Sequence, residues 1–564
     1  MIYLFRRIDS DVLFVCLFVL FFCFNFEVPL SWLGVIHFIW CASPLITLYF
    51  LSRMLLSPIV GFYFTCVTAI VLNIVNFKKS ALTGMALSSS DLFATSNFSV
   101  VLKYVNTSSL LFLIFAVFIF LLLIFNAKKK RKSKIFNCVG ICALLMSLSP
   151  YYSAFGDDNF ATNRYGYILD RLGLRYISWN WEQNIDTNGL YYHLIQTSVR
   201  VRPRESTVID RSQVVAFNSK TDSETHPRKI IFILCEACWY DENNFKNEFS
   251  YLSELGFSSS RGLSPLYGGG TANAEFEILT GLPSYNSSLT GVIYQEYASL
   301  FRDETETLAR VLVRNGYSSI ALHNNVGKFW RRDVVYRKFG FQEFISIEKM
   351  GMLPEDLQKG RKPWQWQPDD YLLYESALRV IKKNKDNKLF LHMITMSTHG
   401  PYEYEHDYGE GHYKTQLIES AVRMRNFIEK AQKIDPDTLF FIYGDHKPAM
   451  NRFFYNRGVL NRDVFLKTGT ADTDFIFNER FNPKQYGDIP IFIKYKSRRA
   501  TDEVLKSLKG MPFYCISKKI NEEFIKVKFF SYNDVSRNGI CNVSNSYDKN
   551  LSDELDDVYS KMLF

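Results

Sequence analysis

Apolar positions are unevenly distributed along the 564-residue chain. In the first 153 residues they form near-continuous runs at about 12–26, 33–52, 55–77, 108–126 and 135–153. Most approach the roughly 20 residues needed to cross a bilayer. The pattern predicts a transmembrane domain of five spans over 1–153, in which only the residues around Arg53 separate the second span from the third. The first run has no small-residue cleavage site ahead of Glu27, and more runs follow it, which argues against a cleaved signal peptide.

From 154 to 215 the pattern changes. Tyr165, Tyr167, Tyr176, Trp179, Trp181, Tyr191 and Tyr192 alternate with charged residues. Such aromatics suit a membrane–water interface, so this stretch reads as a juxtamembrane connector with short helices, or as a plain linker. From about 216 to 500 short apolar runs alternate with helical patterns. Lys229–Leu234, Ser318–His323, Lys388–Ile394, Thr438–Tyr443 and Ile489–Lys494 read as buried strands. Helical stretches are expected at Ala272–Leu279, Glu304–Asn315, Asp370–Lys383 and Thr415–Lys433. Strands alternating with helices predict an α/β domain, a mostly parallel sheet sandwiched by helices. Residues 501–564 form a C-terminal segment with no legible role.

In such sheets ligands bind beyond the carboxyl ends of the strands, and the polar residues fall there. Cys235-Glu236 closes the first strand and His323 the second. Ser397-Thr398-His399-Gly400 follows the third, and Gly444-Asp445-His446-Lys447-Pro448 the fourth. Separately, Gly268-Gly269-Gly270 precedes Thr271 at the start of a helix. Free N–H groups and the positive end of the helix dipole favour an anion there. Thr271 is therefore either a helix cap or a nucleophile whose hydroxyl a metal ion would activate. Any one of these features fits an ordinary turn; together they point to a metal-assisted site.

Charge sets the orientation. Arg6 and Arg7, Arg53, and the cluster Lys128–Lys132 with Lys134 fall on one side of five spans, and by the positive-inside rule that side is cytoplasmic. Lys78 and Lys79 fall on the other side and are outweighed. Everything after Tyr152 is then extracytoplasmic. The net charge of +9 owes much to the lysine cluster, which reads as a topology anchor and not as a nucleic-acid patch. In an oxidising compartment Cys515 and Cys541 can bridge. Cys235 and Cys238 read as buried thiols or a local disulfide, and the remaining six cysteines as small apolar residues of the spans.

The order of these motifs resembles the lipoteichoic acid synthase family, membrane phosphoglycerol transferases with a sulfatase-like domain of the alkaline phosphatase superfamily. The matching segments are Glu236, the run Gly269–Glu277, His323-Asn-Asn with Phe329–Asp333, Ser397-Thr-His399 with Pro401-Tyr402, and Tyr443-Gly-Asp445-His446-Lys-Pro448. The resemblance implies that Glu236, Thr271, Asp445 and His446 hold one divalent cation, Mn²⁺ foremost, with Mg²⁺ or Zn²⁺ as alternatives. It implies that Thr271 is also the nucleophile and that His323, Trp330, Arg332 and His399 surround the substrate headgroup. Arg332 would take a phosphate bidentately, and His399 would carry a proton to or from the reacting oxygen. The implied donor is phosphatidylglycerol drawn from membrane lipid, and the implied acceptor is a glycan at the cell surface or in the periplasm. The implied location is the bacterial cytoplasmic membrane.

Other activities compete. Phosphoethanolamine transferases share the fold and a threonine nucleophile, but their local motifs are not seen. Sulfatases convert a Cys or Ser within C/S-x-P-x-R, and no such motif surrounds Thr271. A phosphodiesterase is a further alternative, and a non-catalytic membrane sensor is a reading from a different class. Every expected metal and nucleophile position is filled, which argues against the sensor.

Overall fold

The computed structural model describes residues 32–83, 86–93, 115–123, 134–154, 169, 172–174, 181–198 and 211–218. It also describes 227–531 apart from short gaps at 285–288, 290, 362–364, 403–407, 478–481 and 497, and then 541, 547 and 558–564. The chain forms two compact units, 1–80 with 85–201 and 202–564 with 81–84.

In the first unit, α1 (Trp32–Leu55) and α2 (Pro58–Thr83) are long and apolar enough to cross a membrane. They carry the second and third expected spans and are separated by Leu56 and Ser57. The first expected span lies outside the described residues, as does the lysine cluster before Lys134. The fourth is described only at 115–123, where it is helical. The fifth differs from expectation. Its apolar run gives α3 (Lys134–Ser147), which is too short to span by itself, and a separate six-residue helix from Ser149 to Ala154. Pro150 brings no backbone N–H to continue α3 across Leu148, so the helix restarts there. Among the described residues, then, two helices and not five meet the length and hydropathy of a span. α1 packs along α3 through small groups. Thr47 Oγ1 lies 2.9 Å from Ser147 Oγ, and a Cβ on Gly140 would come within 2.9 Å of the Phe50 ring.

The expected connector holds a further helix of this unit, α4 (Trp181–Ser198), kinked at Gly189. Its polar side chains are buried against each other. Asn184 Nδ2 donates to Gln196 Oε1 at 2.8 Å and contacts His193 Nδ1 at 2.9 Å. Mutual pairing of this kind is what allows such groups to leave water.

The second unit is built on a seven-stranded sheet of order β2-β9-β6-β1-β5-β3-β4. Its strands are β1 (Lys229–Cys235), β2 (Ser258–Leu263), β3 (Ser318–His323), β4 (Glu343–Ser346), β5 (Leu389–Ile394), β6 (Leu439–Gly444) and β9 (Asp488–Lys494). A separate two-stranded hairpin is made by β7 (Phe465–Lys467) and β8 (Phe475–Phe477). β1 pairs in parallel with both β5 and β6, and β3 pairs in parallel with β4 and β5. The last strand, β9, runs antiparallel to β6 and to β2, so the sheet is mostly but not wholly parallel. The central strands are buried along their whole length, which is why they read as unbroken apolar runs. Parallel pairing of β6, β1, β5 and β3 brings their carboxyl ends to one edge.

Helices flank the sheet, among them α5 (Thr271–Thr280), α6 (Leu308–Arg314), α7 (Arg332–Lys338), α8 (Tyr371–Lys383), α9 (Glu410–Ile434) and α10 (Phe513–Ile520). All ten residues of α5 are buried, and α10 packs against it. Later residues close over the same helix: Ser531 Oγ donates to Thr280 O, Tyr547 OH to Glu277 Oε2 and Tyr559 OH to Pro283 O. Cys515 and Cys541 form a disulfide within this segment.

Phe232 stands at the centre of β1. Its ring is edge-on to Phe390 at 5.3 Å and to Phe441 at 5.2 Å, and it is fully buried. Replacing Phe232 by Ala leaves a cavity between three strands and is expected to destabilise this unit by about 3–5 kcal/mol. Denaturant unfolding of the purified chain checks this, and an unchanged midpoint would contradict the packing described.

Candidate active site and metal centre

Glu236 leaves β1 in a tight turn closed by a Cys235–Cys238 disulfide and by the Cys238 N–H donating to Cys235 O at 3.1 Å. Ala237 in this turn has φ 49°, and its N–H donates to Asp445 Oδ1 at 2.7 Å. Asp445 and His446 follow the end of β6. Gly444 precedes them because nothing larger fits: a Cβ there would lie 2.1 Å from the Cys238 carbonyl oxygen. The glycine-rich turn is anchored to the same loop, with Gly268 N–H donating to Lys447 O at 3.1 Å. Gly270, at φ 93°, caps α5 in a left-handed conformation open to glycine. Thr271 is the first residue of α5, and its hydroxyl donates to Glu236 Oε2 at 3.0 Å.

Glu236, Asp445 and His446 each offer an atom within 4.8 Å of the others, and all are buried. His446 Nε2 lies 3.4 Å from Glu236 Oε1 and 3.2 Å from Asp445 Oδ2. His446 Nδ1 donates to Lys447 O at 2.8 Å, which leaves the Nε2 lone pair facing the carboxylates. Neither His446 Nε2 nor Asp445 Oδ2 has a hydrogen-bond partner among the described residues. Two carboxylates and an imidazole lone pair crowded out of water need a positive charge between them. The ionisation preferences of the three groups carry the same demand. Burial would raise Glu236, but His446 and His399 hold it down at about 2. Burial and the Glu236 charge push Asp445 up to about 7. Burial would lower His446, yet the two carboxylates raise it to about 9. A divalent cation fits this set, with the Thr271 oxygen beside it as a further hard ligand.

Of the expected headgroup residues, His323 and His399 lie at or just beyond the carboxyl ends of β3 and β5, and Trp330 and Arg332 lie in the turn and helix that follow β3. His323 closes β3. Its Nδ1 donates to Ile394 O at 3.3 Å, and Nε2 has no partner among the described residues. Burial, with Arg332 nearby, keeps it neutral, far below the usual histidine range. His399 follows β5 and is half-buried; its Nδ1 donates to Gly400 O at 2.6 Å. The Trp366 ring stands edge-on to it at 5.4 Å. Trp330 and Arg331 both have left-handed backbones, φ 51° and 56°. Two successive non-glycine residues in that region cost about 1–3 kcal/mol each. The turn leaves Trp330 half-buried, outside the core, while Arg332 points inward and is 1% exposed.

Arg332 is held by a carboxylate. Its Nε and Nη2 donate to Glu275 Oε1 at 3.2 and 2.5 Å. The Nε–Nη2 edge therefore faces a glutamate, and the Nη1 end has no partner among the described residues. Residues 229–472 match the Sulfatase family model, and this stretch contains all eight expected site residues.

The chain carries a sulfatase-family domain. It is distantly related to lipoteichoic acid synthases. A Rhizobium meliloti protein named for cyclic beta-1,2-glucan modification is 26% identical over 335 residues, covering 55% of this chain and 50% of its own length. A lipoteichoic acid synthase-like protein of Bacillus subtilis is 22% identical over 430 residues, covering 70% of this chain and 60% of its own. The chain thus spans about half to three-fifths of these relatives. Among solved structures, the Streptococcus pyogenes phosphoglycerol transferase GacH in complex with sn-glycerol-1-phosphate shares 18% identity at a TM-score of 0.44. That match covers 64% of this chain and 96% of the other.

Two residues of the sulfatase domain were missed in the sequence. Glu275 was visible as the fourth residue after Thr271, a spacing that puts both on one face of a helix. Asp370 was read only as a helix start. Its carboxylate accepts the N–H groups of Met396 at 2.8 Å and Ser397 at 3.2 Å, and so holds the loop that carries His399. No local pattern signals that role, because the partners lie 26 and 27 residues away.

Removing either ligand of the β6 loop, in Asp445→Ala or His446→Ala, should lower affinity for a divalent cation by more than the ~100-fold typical of losing an outer partner. The domain should stay folded. Metal analysis after dialysis, with circular dichroism alongside, checks both halves. Gly444→Ala should lose metal too, since the Cβ must push the Cys238 turn aside and Glu236 with it. Wild-type metal content in that variant would contradict the close approach.

Proposed function

We propose that the chain is a membrane-anchored, metal-dependent phosphoglycerol transferase. It moves glycerophosphate from phosphatidylglycerol to a cell-surface or periplasmic glycan through a phosphothreonine on Thr271. The observation that carries this reading is the Thr271 hydroxyl at the start of a buried helix, 3.0 Å from Glu236 of the Glu236–Asp445–His446 cluster. The helix N-terminus favours the anionic adduct. A threonine hydroxyl in this position suits a covalent phosphoryl carrier.

When bound, a divalent cation supplies Lewis acidity that lowers the hydroxyl pKa and offsets charge on the phosphoryl oxygens. The rest falls to the side chains. In the first half, the Thr271 oxygen bonds to phosphorus while the bond to the diacylglycerol oxygen breaks. Glu236 is the acceptor already facing the Thr271 proton, and His399 gives a proton to the departing oxygen. In the second half, a glycan hydroxyl loses its proton to His399 and bonds to phosphorus as the Thr271–phosphorus bond breaks. Neutral His323 and Arg332 hold the glycerophosphate group in both halves, and Trp330 flanks it.

Two helices of membrane-spanning length support a lipid donor. The orientation read from the basic residues supports an extracytoplasmic site. Relatives named for lipoteichoic acid synthesis and glucan modification support a glycan acceptor. Incubating the purified chain with phosphatidylglycerol, Mn²⁺ and no acceptor should add one glycerophosphate to the peptide containing Thr271. Thr271→Ala should lose both the adduct and diacylglycerol release, and Thr271→Ser should retain a fraction of each. Native diacylglycerol release by Thr271→Ala would make water or another residue the nucleophile and the protein a phosphodiesterase.

A further inference from the structure

Glu275 has no part in the scheme above, yet the site closes around it. It lies four residues after Thr271 on α5, so the two share a face one helical turn apart, about 6 Å of axial rise. It is fully buried. Its Oε1 accepts Nε and Nη2 of Arg332; its Oε2 accepts the Tyr336 hydroxyl and lies 4.0 Å from His392 Nε2. Burial and the nearby Arg332 hold His392 down at about 3, so Arg332 is the cation that balances Glu275. The guanidinium lies 5.0 Å from the centre of the Trp330 ring. Its third nitrogen, Nη1, is buried and has no hydrogen-bond partner among the described residues.

A buried cationic donor without an acceptor is costly. It is tolerated where a ligand supplies the acceptor. Glu275 occupies the Nε–Nη2 edge of the guanidinium, so the Nη1 end, with the second N–H of Nη2 beside it, remains for an oxyanion. The flexible arginine is thereby converted into a fixed donor whose distance from Thr271 is set by one turn of α5. Tyr336, one helical turn beyond Arg332 on α7, fixes the second carboxylate oxygen, so neither partner is free to rotate.

We infer that Glu275 is the positioning residue of this site, orienting Arg332 so that its Nη1 end meets the anionic oxygens of the phosphate group that Thr271 handles. This deepens the proposed function and rests on the reading that the site takes a phosphoryl group. The phosphate is met by the Nη1 end of the guanidinium and not by the Nε–Nη2 edge that Glu275 holds.

The test is a double-mutant cycle on the full chain in detergent with Mn²⁺, titrating sn-glycerol 1-phosphate by calorimetry. Glu275→Gln is expected to weaken binding about tenfold, and Tyr336→Phe about threefold, through a looser carboxylate. In an Arg332→Gln background, Glu275→Gln should add less than about twofold, because its effect passes through the guanidinium. Equal loss in both backgrounds would overturn the inference, as would tighter binding by Glu275→Gln, which would mark the carboxylate as a brake on anion binding. Melting curves identify any variant that fails to fold. If Glu275→Gln is one, Tyr336→Phe and Glu275→Asp carry the test, and wild-type affinity in both would overturn it. A wild-type chain that binds the probe in this pattern but releases no diacylglycerol from phosphatidylglycerol would keep the positioning role and reject the donor. A wild-type chain that does not bind the probe rejects both.

Discussion

The structure turns on one electrostatic constraint. Two carboxylates and an imidazole are held within 4.8 Å, away from water. The two carboxylates repel strongly where the dielectric is low. The local architecture exists to overcome that repulsion. The Cys235–Cys238 turn aims Glu236 inward. The Ala237 N–H pins Asp445. Gly444 lets two loops meet at a distance no side chain would permit. Each device fixes a ligand through the backbone, so a cation entering the centre finds its ligands already ordered and little conformational freedom is lost on binding.

The same helix serves both ends of the site. Thr271 opens α5 beside the carboxylates, and Glu275, one turn later, holds the only guanidinium among the expected site residues. The rigidity of an α-helix thus sets the spacing between the Thr271 hydroxyl and the carboxylate that holds Arg332. The backbone strain at Trp330 and Arg331 complements this arrangement. It turns Arg332 into the interior and leaves the indole half-exposed above it. Strain of this kind persists only where surrounding contacts over-determine it, and the Glu275 ion pair to the next residue, Arg332, is one of them.

Much of this was legible in the sequence, for identifiable reasons. The five strands expected in the sheet were readable because β1, β5 and β6 are buried on both faces and so carry unbroken apolar runs. Their ends then located Glu236, His323, His399, Asp445 and His446 at one edge. β2 was invisible because Ser-Ser-Ser-Arg-Gly-Leu has no apolar alternation; its place comes from antiparallel pairing with β9. β4 has only four residues. The fifth membrane run read as one span because hydropathy averages over Pro150, whereas the backbone cannot. The Glu275 partner of Arg332 was missed for a different reason. Both Arg332 and Glu275 were in view, but their contact bridges 57 residues, and no periodicity reports a pairing made by tertiary folding.

The C-terminal segment has a consequence for the order in which this protein becomes competent. Helix α5 is buried on every side, and part of its cover comes from Phe513–Ile520, Ser531, Tyr547 and Tyr559. Those residues leave the ribosome long after Thr271. A chain synthesised through residue 446 has Glu236, Thr271, Asp445 and His446 but not the side chains that cover α5. The cover of that helix therefore arrives late in synthesis, and a nascent chain arrested before residue 513 should present Thr271 on a helix open to protease.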